Sequence, residues 1–502
     1  MSAPPVPEAF PLDHLAIRGA RDATALVMKD RRLSFAELDE AVGKLATLLR
    51  RYGERGNRIA SWAAKGWATC LLPLACARAG FVHVPINPLL KRAQAAHILA
   101  DSGSILLIGT KSRLDTLEET DCPPRFSLLA EDQLEPLCEP LVAMPRSEND
   151  PGSLVAILYT SGSTGHPKGV MLSHANLWLG ARSVAQYLAL RPEDVTLAVL
   201  PLSFDYGQNQ LLSAWYAGST AVPLDYLFPR DVANACARYD VTTLAAVPPL
   251  WHQLVEHDWA GRKASLKRLT NSGGALTPDL IDQMQRLFPQ ADLYPMYGLT
   301  EAFRSTYLDP SLVAYHPTSI GTAIPFAEVL VVREDGSLCD AGEEGELVHC
   351  GPLVAQGYWQ DAKKTAYRFR AAPLASRYGG TAVWSGDRVV RNAEGLLFFV
   401  GRRDAMIKSA GNRISPQEIE DAARSTGLVK DAVAIGVPDA RAGQAVHLIV
   451  RGDEAHAEAL TRQLKRVLPN FMQPTRIHWR KSFPLNANGK IDRVALAAEA
   501  AA

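Results

Sequence analysis

Hydroxyl-bearing residues, glycines and one lysine are concentrated in a single loop at residues 160–168. The apolar run Leu-Val-Ala-Ile-Leu ends at residue 158, so the loop follows a predicted buried strand. Glycines let successive N–H groups point into one concavity, and a lysine adds a mobile positive charge. The spacing does not fit the Walker A pattern. We therefore predict a different polyphosphate-binding loop, made of Thr160, Ser161, Gly162, Ser163, Thr164, Gly165 and Lys168.

Further motifs follow at larger spacings. They are YGLTE at 297–301, WSGD at 384–387, a block that runs from GRRD at 401–404 to GNRIS at 411–415, and NGKIDR at 488–493. Together with the loop, and in the same order, they resemble the signatures of the AMP-forming adenylation superfamily, which includes acyl-CoA ligases, peptide-synthetase adenylation domains and luciferases. Shorter segments such as LSFDYGQNQL and GYW resemble the exosortase A-associated AMP-forming acyl-CoA ligases. The resemblance covers most of the chain.

This resemblance implies ATP as a substrate and Mg²⁺ as its cation. The loop at 160–168 would hold the β- and γ-phosphates, Thr300 would contact the α-phosphate, and Glu301 would hold Mg²⁺. A carboxylate suits this hard cation, which takes one or two carboxylates together with phosphate oxygens. The alternative for Glu301 is an ordinary surface carboxylate after a turn.

The nucleoside is expected to contact three other segments. Tyr297 and the adjacent Gly298 would lie at the adenine, with a core aromatic as the alternative for Tyr297. Asp387 only accepts hydrogen bonds when ionised, which suits the two ribose hydroxyls. Gly273, Gly274 and Ala275 are expected to lie at the edge of the purine. Arg402 is expected to contact the ribose or a phosphate. Loop ion pairs are the alternative for Asp387 and Arg402.

Lys490 is the residue expected to carry the adenylation step. It would bridge the substrate carboxylate and the α-phosphate while charge develops between them. A solvated surface lysine is the alternative. The resemblance also implies two poses of the C-terminal region, with Asp404 as the hinge between them. In the second pose, the segment that contains Lys408 and Gly411 would replace Lys490 and allow thioester formation.

The acyl pocket departs from the pattern of many relatives. Where many acyl- and aryl-CoA ligases have an aromatic-His pair, this chain has Phe204-Asp205, and amino-acid-activating members typically have Asp there. Burying the charges of Asp205 and Arg304 beside a long alkyl chain would cost free energy. We therefore hypothesise a small polar or amino-bearing carboxylate substrate. The alternative is that Asp205 and Arg304 pair with each other or cap local backbone. The expected lining is Asp205, Tyr206, Asn209, Met296 and Arg304.

Alternating apolar runs and amphipathic segments predict an α/β fold with layered subdomains and a largely parallel sheet. Ser34 and Glu37 form a predicted capping box for a helix over residues 32–52. A smaller β region is expected after about residue 320. We predict two domains, a large body at 1–403 and a mobile α+β lid at 404–502. The lid has 14 Lys and Arg against 11 Asp and Glu, which suits closure over anionic ligands.

Composition excludes several classes of protein. The 502 residues include 53 Lys and Arg and 53 Asp and Glu, so no global positive field indicates nucleic-acid binding. The sequence contains no predicted membrane span, and its start does not resemble a secretory signal. The seven cysteines form no CxxC pair. We therefore expect a reducing, cytoplasmic location.

These observations predict an AMP-forming ligase that joins a small carboxylic acid to a thiol. The acceptor is expected to be coenzyme A; the alternative is an amino-acid-adenylating enzyme that loads the phosphopantetheine arm of an acyl or peptidyl carrier protein. A non-catalytic nucleotide-binding protein is a remote alternative, because both Glu301 and Lys490 are present. A luciferase-type oxygenase would need a bulky apolar pocket, which Asp205 and Arg304 disfavour.

Overall fold

The structure is a computed structural model of the full chain. The residues that it describes are 4–29, 31–160, 167–262, 265–402, 407–409, 412–439, 443–468, 472–487 and 489–501.

The first part of the chain alternates short strands with helices. Its elements are β1 (Thr24–Met28), β2 (Arg31–Ser34), α1 (Phe35–Leu49), β3 (Arg58–Trp62), α2 (Trp67–Ala79), β4 (Val82–Pro85), α3 (Arg92–Ser102), β5 (Leu106–Gly109), α4 (Lys111–Leu114), β6 (Ser127–Ala130) and α5 (Leu134–Cys138). The Ser34–Glu37 capping box is confirmed. The predicted helix start at residue 32 is wrong, because residues 31–34 pair with β1 as an antiparallel strand.

The same alternation continues through the middle of the chain. Its elements are β7 (Leu154–Thr160), β8 (Lys168–Ser173), α6 (His174–Tyr187), β9 (Val195–Ala198), α7 (Asp205–Tyr216), β10 (Thr220–Pro223), α8 (Pro229–Arg238), β11 (Thr243–Ala246), α9 (Pro248–Val255), β12 (Arg268–Asn271), α10 (Pro278–Leu287) and β13 (Asp292–Tyr297). Strands such as β11 are buried along their whole length, as expected for parallel strands covered by helices on both faces.

After β13 the chain becomes mainly β. The elements are β14 (Thr306–Tyr307), β15 (Ser319–Ala323), β16 (Glu328–Val332), β17 (Glu344–Cys350), β18 (Gly357–Tyr358), α11 (Ala362–Arg368), β19 (Phe369–Ala371), β20 (Thr381–Arg391) and β21 (Leu397–Arg402). This is the predicted β region. β14 and β15 join it to the edge of the preceding parallel sheet.

Two large sheets carry the body. Within the described residues, the first has the order β16-β17-β20-β21-β15-β14-β13-β12-β11-β9-β10-β1-β2, with β19 beside β20. The run from β13 to β1 is parallel. The second has the order β18-β8-β7-β4-β3-β5-β6. Loops that leave the carboxyl ends of parallel strands meet at one edge, where open α/β sheets bind ligands.

The C-terminal region forms its own sheet. Its elements are β22 (Ile407–Ser409), β23 (Asn412–Ile414), α12 (Pro416–Ser425), β24 (Val429–Asp439), β25 (Gly443–Gly452), α13 (Ala457–Val467), β26 (Arg476–Arg480) and α14 (Arg493–Ala501). The order is β23-β22-β25-β24, with β26 parallel to β25. The predicted helix start at Ser415-Pro416 is confirmed. The predicted domain boundary at 403/404 adjoins Asp404, which lies outside the described residues, so the two-domain division stays a prediction.

The C-terminal sheet has a hydrophobic core of its own, built around residues such as Ile414, Leu448 and Leu460, apart from the large core of the body. The two parts nevertheless touch. Asn87 Nδ2 donates to the carbonyl oxygen of Ala487 at 2.6 Å, and Lys430 lies 3.4 Å from Glu256. Among the described residues, no helix is both long enough and apolar enough to cross a membrane.

Candidate active site

A hairpin frames the predicted phosphate loop. β7 ends at Thr160 and β8 begins at Lys168, and these two residues pair directly across the antiparallel ladder. The ends of the loop are therefore fixed by strand pairing. The predicted loop residues between them lie outside the described residues; they are Ser161, Gly162, Ser163, Thr164 and Gly165.

Tyr358 links this hairpin to the candidate magnesium ligand. Its strand pairs with β8, and its ring centre lies 5.4 Å from Lys168 Nζ. Its hydroxyl donates to Glu301 Oε1 at 2.5 Å. Burial, and then the charge of Glu301, raise the pKa of Tyr358, so it stays a hydrogen-bond donor. The sequence contained Tyr358 only as part of the GYW segment, and its role in holding Glu301 was not predicted.

Glu301 lies in a 3-10 turn, Thr300–Ala302, directly after β13. Its backbone carbonyl accepts from the N–H of Ala355 at 2.9 Å. The side-chain oxygens fit Mg²⁺, because a hard cation in such sites uses one carboxylate and completes its shell with phosphate oxygens and water. No group of three or more His, Cys, Asp or Glu gathers in the described part of the chain. A single carboxylate such as Glu301 suits a cation that arrives with a nucleotide.

Thr300, Asp205 and Lys490 meet beside this turn. Thr300 Oγ1 donates to Asp205 Oδ1 at 3.2 Å, and both residues are buried. Asp205 is the first residue of α7 and thus faces the positive end of the helix. Burial raises its pKa, while the charges of Arg304 and Lys490 oppose that shift. Arg304 and Lys490, which lie far apart in the sequence, therefore both act electrostatically on Asp205.

Lys490 reaches this centre from the C-terminal region. Its Nζ lies 4.7 Å from the centre of the Phe204 ring, a cation–π distance. The loop that carries it is closed by a backbone hydrogen bond of 2.7 Å from Asn486 N–H to the Lys490 carbonyl oxygen. Burial lowers the pKa of Lys490, and Asp205 opposes that shift. The predicted juxtaposition of Lys490 with the body is thus present, and the alternative of a solvated surface lysine is disfavoured.

Gly273 lies directly below Lys490, in the turn after β12. Its φ is +82°, and a Cβ there would come within 2.6 Å of Lys490 Cε. Asn271 Nδ2 donates to the Gly274 carbonyl oxygen at 2.9 Å and holds the turn. Gly274 and Ala275 are exposed. The predicted purine-edge segment therefore adjoins the lysine that is expected to carry the chemistry.

Tyr297 and Asp387 form the other side of the site. The Tyr297 hydroxyl donates to Asp387 Oδ2. The N–H of Asp387 donates to the buried Ser385 hydroxyl at 3.0 Å. Asp387 also faces Arg402 across the β20–β21 ladder, so the backbone places these two predicted ribose contacts side by side. The bond between Tyr297 and Asp387 was not predicted, because no local pattern signals a contact over 90 residues.

Close packing explains why residue 298 is a glycine. A Cβ on Gly298 would lie 2.9 Å from the Cα of Arg304, because the chain folds back closely after the 3-10 turn. Ser305 N–H donates to the Tyr297 carbonyl oxygen at 3.1 Å in the same fold-back. This tight return brings Arg304 beneath the site.

Four of the five predicted acyl-pocket residues line one cavity: Tyr206, Asn209, Met296 and Arg304. Asp205 precedes Tyr206 and lies at the Lys490 side. The Arg304 guanidinium lies 4.5 Å from the centre of the Tyr206 ring. Within the described residues, no ion pair of 4.0 Å or less joins Asp205 to Arg304. Their charges interact without a direct ion pair, since the charge of Arg304 counters the rise in the pKa of Asp205 that burial causes.

The predicted hinge is described only in part. Asp404 and Gly411 lie outside the described residues. The backbone of Lys408 belongs to β22 and pairs with Arg413 of β23. The proposed second pose of this segment stays a prediction.

Two family models match the chain. That of AMP-binding enzymes covers residues 14–359, and that of the AMP-binding enzyme C-terminal domain covers residues 418–490. The chain belongs to the AMP-binding enzyme family. Membership confirms the predicted superfamily and the AMP-forming ligase class. The finer resemblance to exosortase A-associated ligases stays a prediction.

Curated relatives cover nearly the whole chain. Feruloyl-CoA synthase from Amycolatopsis sp is 30% identical over 93% of this chain and 94% of its own length. The L-proline–[L-prolyl-carrier protein] ligase of Pseudomonas fluorescens is 29% identical over 94% and 95%. A linear gramicidin synthase from Brevibacillus parabrevis is 30% identical over 95% of this chain, which spans only 6% of that protein.

Solved structures share the fold. ATP-bound MatB from Rhodopseudomonas palustris matches with a TM-score of 0.89 at 24% identity, over 98% of this chain and 99% of that one. The anthranilate CoA ligase AuaEII in complex with anthranoyl-AMP matches with a TM-score of 0.88 at 22% identity, over 99% and 98%. These similarities confirm the predicted α/β architecture with a smaller C-terminal domain.

Proposed function

We propose that this chain activates a small carboxylic acid with ATP and transfers the acyl group to the thiol of coenzyme A. In the first step, a carboxylate oxygen attacks the α-phosphorus, the bond to the bridging oxygen breaks, and pyrophosphate leaves. In the second step, the thiolate sulphur attacks the acyl carbonyl carbon and AMP leaves. The observation that carries the proposal is the position of Lys490, whose side chain lies between Gly273, Phe204 and Asp205.

Lys490 serves the first step by placing a positive charge between two anions. Its ammonium group contacts the substrate carboxylate and an α-phosphate oxygen, where negative charge develops in the transition state. Burial in the site strengthens this interaction, because the effective dielectric constant there is lower than that of water. Thr300 donates a hydrogen bond at the α-phosphate and is held in place by Asp205.

The phosphates are bound on the opposite side. Lys168 pairs with the β- and γ-phosphates, and Glu301 holds Mg²⁺, which neutralises phosphate charge when it is bound. Tyr358 keeps Glu301 and Lys168 in one arrangement, since it donates to the first and lies under the second. Asp387 accepts from the ribose hydroxyls, with Arg402 beside it on the next strand.

The acid that this site accepts is small and carries an amino group. Asp205 is buried at 8% exposure and accepts from Thr300 and from the Tyr206 backbone. An ionised carboxylate has about four acceptor positions, so it can also accept from a substrate group. An ammonium group on the substrate adds a direct hydrogen-bonding partner to the charges of Arg304 and Lys490, which already stabilise this carboxylate. A long alkyl chain offers no such compensation.

Asp205 also favours a second candidate for the acyl acceptor, a carrier protein. An ammonium-binding carboxylate suits amino-acid activation, and one relative over the whole chain is a ligase named for the L-prolyl-carrier protein. The alternative function is therefore amino-acid adenylation followed by loading of a carrier protein's phosphopantetheine arm. Both acceptors present the same thiol, so the two functions share every group in the first step.

The deciding experiment measures ATP-dependent pyrophosphate release by the full chain over fatty, aryl and amino acids. We expect activity with small polar or amino-bearing acids. Activity confined to medium or long fatty acids would contradict the substrate proposal, and no release with any acid would contradict the reaction. Thioester formation on free coenzyme A, compared with formation only on a carrier protein, then decides the acceptor.

A further inference from the structure

The cavity next to Tyr206 is lined by a mixture of apolar and polar side chains. It has an empty volume of about 320 Å³, including its opening to solvent. Several lining atoms are buried and have no hydrogen-bond partner among the residues that the structure describes: Arg304 Nε, Asn209 Oδ1, both amide atoms of Gln210, and the hydroxyls of Thr196 and Thr243. Buried polar atoms are rarely left unpaired, because desolvation without a hydrogen bond destabilises the folded chain. The lining is thus built to receive polar atoms.

Arg304 is the charged member of this lining. It is 1% exposed, and its described polar contact is a weak one of 3.8 Å from Nη1 to Met296 Sδ. The Tyr206 ring face supports its guanidinium at 4.5 Å, which stabilises the cation but accepts no conventional hydrogen bond. A buried guanidinium normally pairs with a carboxylate or phosphate. This one has no such partner within the described chain.

The backbone before Arg304 is strained in a way that fixes its direction. Phe303 has φ 60° and ψ −63°, and Arg304 N–H donates to the Ala302 carbonyl oxygen at 2.6 Å. These are the features of a γ-turn with positive φ, which is rare and costly for a bulky residue. The Phe303 ring packs against Gly180, where a Cβ would come within 2.5 Å of it. The surrounding core therefore holds the turn that aims Arg304 into the cavity.

Three charges act on one another here, two positive and one negative. Lys490 faces the reacting carboxylate, and Asp205 accepts from an ammonium group in the proposed function. Arg304 is separate from Asp205, although its charge lowers the pKa values of both Asp205 and Lys490. A substrate with one carboxylate leaves Arg304 unpaired at the cavity floor.

We propose that the substrate is a short amino dicarboxylic acid whose distal carboxylate binds Arg304, with Asn209 and Gln210 supplying neighbouring hydrogen bonds. This inference rests on the proposed function, because it assigns the far end of the acid that Lys490 activates. The apolar remainder of the lining, Val184, Leu188 and Ala245, encloses the connecting methylene groups.

The test is ATP–pyrophosphate exchange by the wild-type chain over matched acids. Aspartate, glutamate and 2-aminoadipate are compared with asparagine and glutamine, with norvaline and norleucine, and with succinate and glutarate. We expect kcat/KM for the best amino dicarboxylate to exceed that of its carboxamide and alkyl counterparts by about 10²-fold or more, since an unpaired buried charge is strongly penalised. Preference for a carboxamide, for an alkyl amino acid, or for succinate or glutarate would overturn the inference. Absence of exchange with every acid would instead contradict the proposed function.

Two variants sharpen the assignment. Arg304→Gln should lose most exchange with the amino dicarboxylate and gain relative preference for the carboxamide. Arg286→Gln, which removes an exposed guanidinium on α10, should change neither. ATP binding and thermal unfolding are measured for both, so that a folding defect is recognised. If Arg304→Gln folds and keeps the wild-type preference, the assignment is wrong; if it does not fold, the wild-type series still decides.

Discussion

Lys490 crosses directly over Gly273, so that a side chain at Gly273 and the end of the lysine would occupy the same space. A Cβ built on Gly273 would lie 2.6 Å from Lys490 Cε and 3.2 Å from its Nζ. One residue belongs to the body and the other to the C-terminal region. Their contact defines the arrangement in which adenylation is proposed to occur.

Gly273→Ala is therefore expected to slow adenylation by displacing Lys490. A shift of about 1 Å in a catalytic group can cost about 10²-fold in rate, and we expect a loss of roughly 10- to 100-fold. Gly261→Ala is the matched control, because Gly261 has the same φ of +82° and no atom within 4 Å of its Cβ position. Both variants carry the same backbone strain, so an equal loss in pyrophosphate exchange would contradict the proposed contact.

The pH dependence of adenylation should reveal the partly buried Lys490. Lys490 is charged only below its pKa, and burial lowers that pKa from the ordinary lysine value. In the free enzyme, kcat/KM for adenylation should therefore fall with rising pH at a lower pH than an exposed lysine would give. Lys490→Arg, if active, should move this alkaline decline to higher pH, because arginine stays protonated. An alkaline decline at the same pH in both proteins would assign it to another group.

Asp205→Asn tests the ammonium site separately from the reaction. The amide keeps the size of the side chain and an acceptor for Thr300, but it removes the charge that pairs with a substrate ammonium. We expect kcat/KM for the preferred amino-bearing acid to fall by about 10²-fold. The same acid without its amino group should be affected far less. An equal loss for both acids, measured by pyrophosphate exchange, would give Asp205 a structural role only.

Tyr358→Phe tests the hydrogen bond to Glu301. Loss of the hydroxyl frees the Glu301 carboxylate to rotate, so the Mg²⁺ concentration needed for half-maximal effect should rise several-fold. This concentration is measured in Mg²⁺ titrations of ATP binding and of adenylation. A hydrogen bond to a charged group contributes about 1.5–3 kcal/mol, which sets the upper limit of the effect. Tyr367→Phe, at an exposed position of α11, is the control. Unchanged Mg²⁺ dependence in Tyr358→Phe would remove Tyr358 from the positioning of Glu301.

Much of the scaffold could be predicted from local pattern. The capping box of Ser34 and Glu37 and the Pro416 helix start rest on contacts within one turn, and both are present. The strand at residues 31–34 was missed because it forms only by pairing with β1. The β region was expected, but its junction with the parallel sheet was not, because nothing local shows that Thr306 pairs with Tyr297.

In the site, too, residues within motifs could be predicted, whereas contacts between residues distant in sequence could not. The motifs predicted that Glu301, Asp387 and Lys490 serve one reaction. In the structure, Lys490 lies near Asp205. The groups that hold these residues in place were not predictable, because Tyr358 lies 57 residues from Glu301. Arg304 was identified by its charge and by its position three residues after Glu301. The backbone turn at Phe303 that precedes it is not indicated by any residue type.

The most direct test of this account is single-turnover kinetics of Lys490→Ala in the two half-reactions. We predict that formation of acyl-adenylate falls by about 10²–10³-fold, as for loss of a transition-state charge contact. ATP binding should remain, and thioester formation from supplied acyl-adenylate should stay within a few-fold of wild type. Lys481→Ala, at an exposed lysine in the same region, should leave both half-reactions unchanged. Acyl-adenylate formation by Lys490→Ala at a rate near that of wild type would contradict the assignment of Lys490 to the adenylation step.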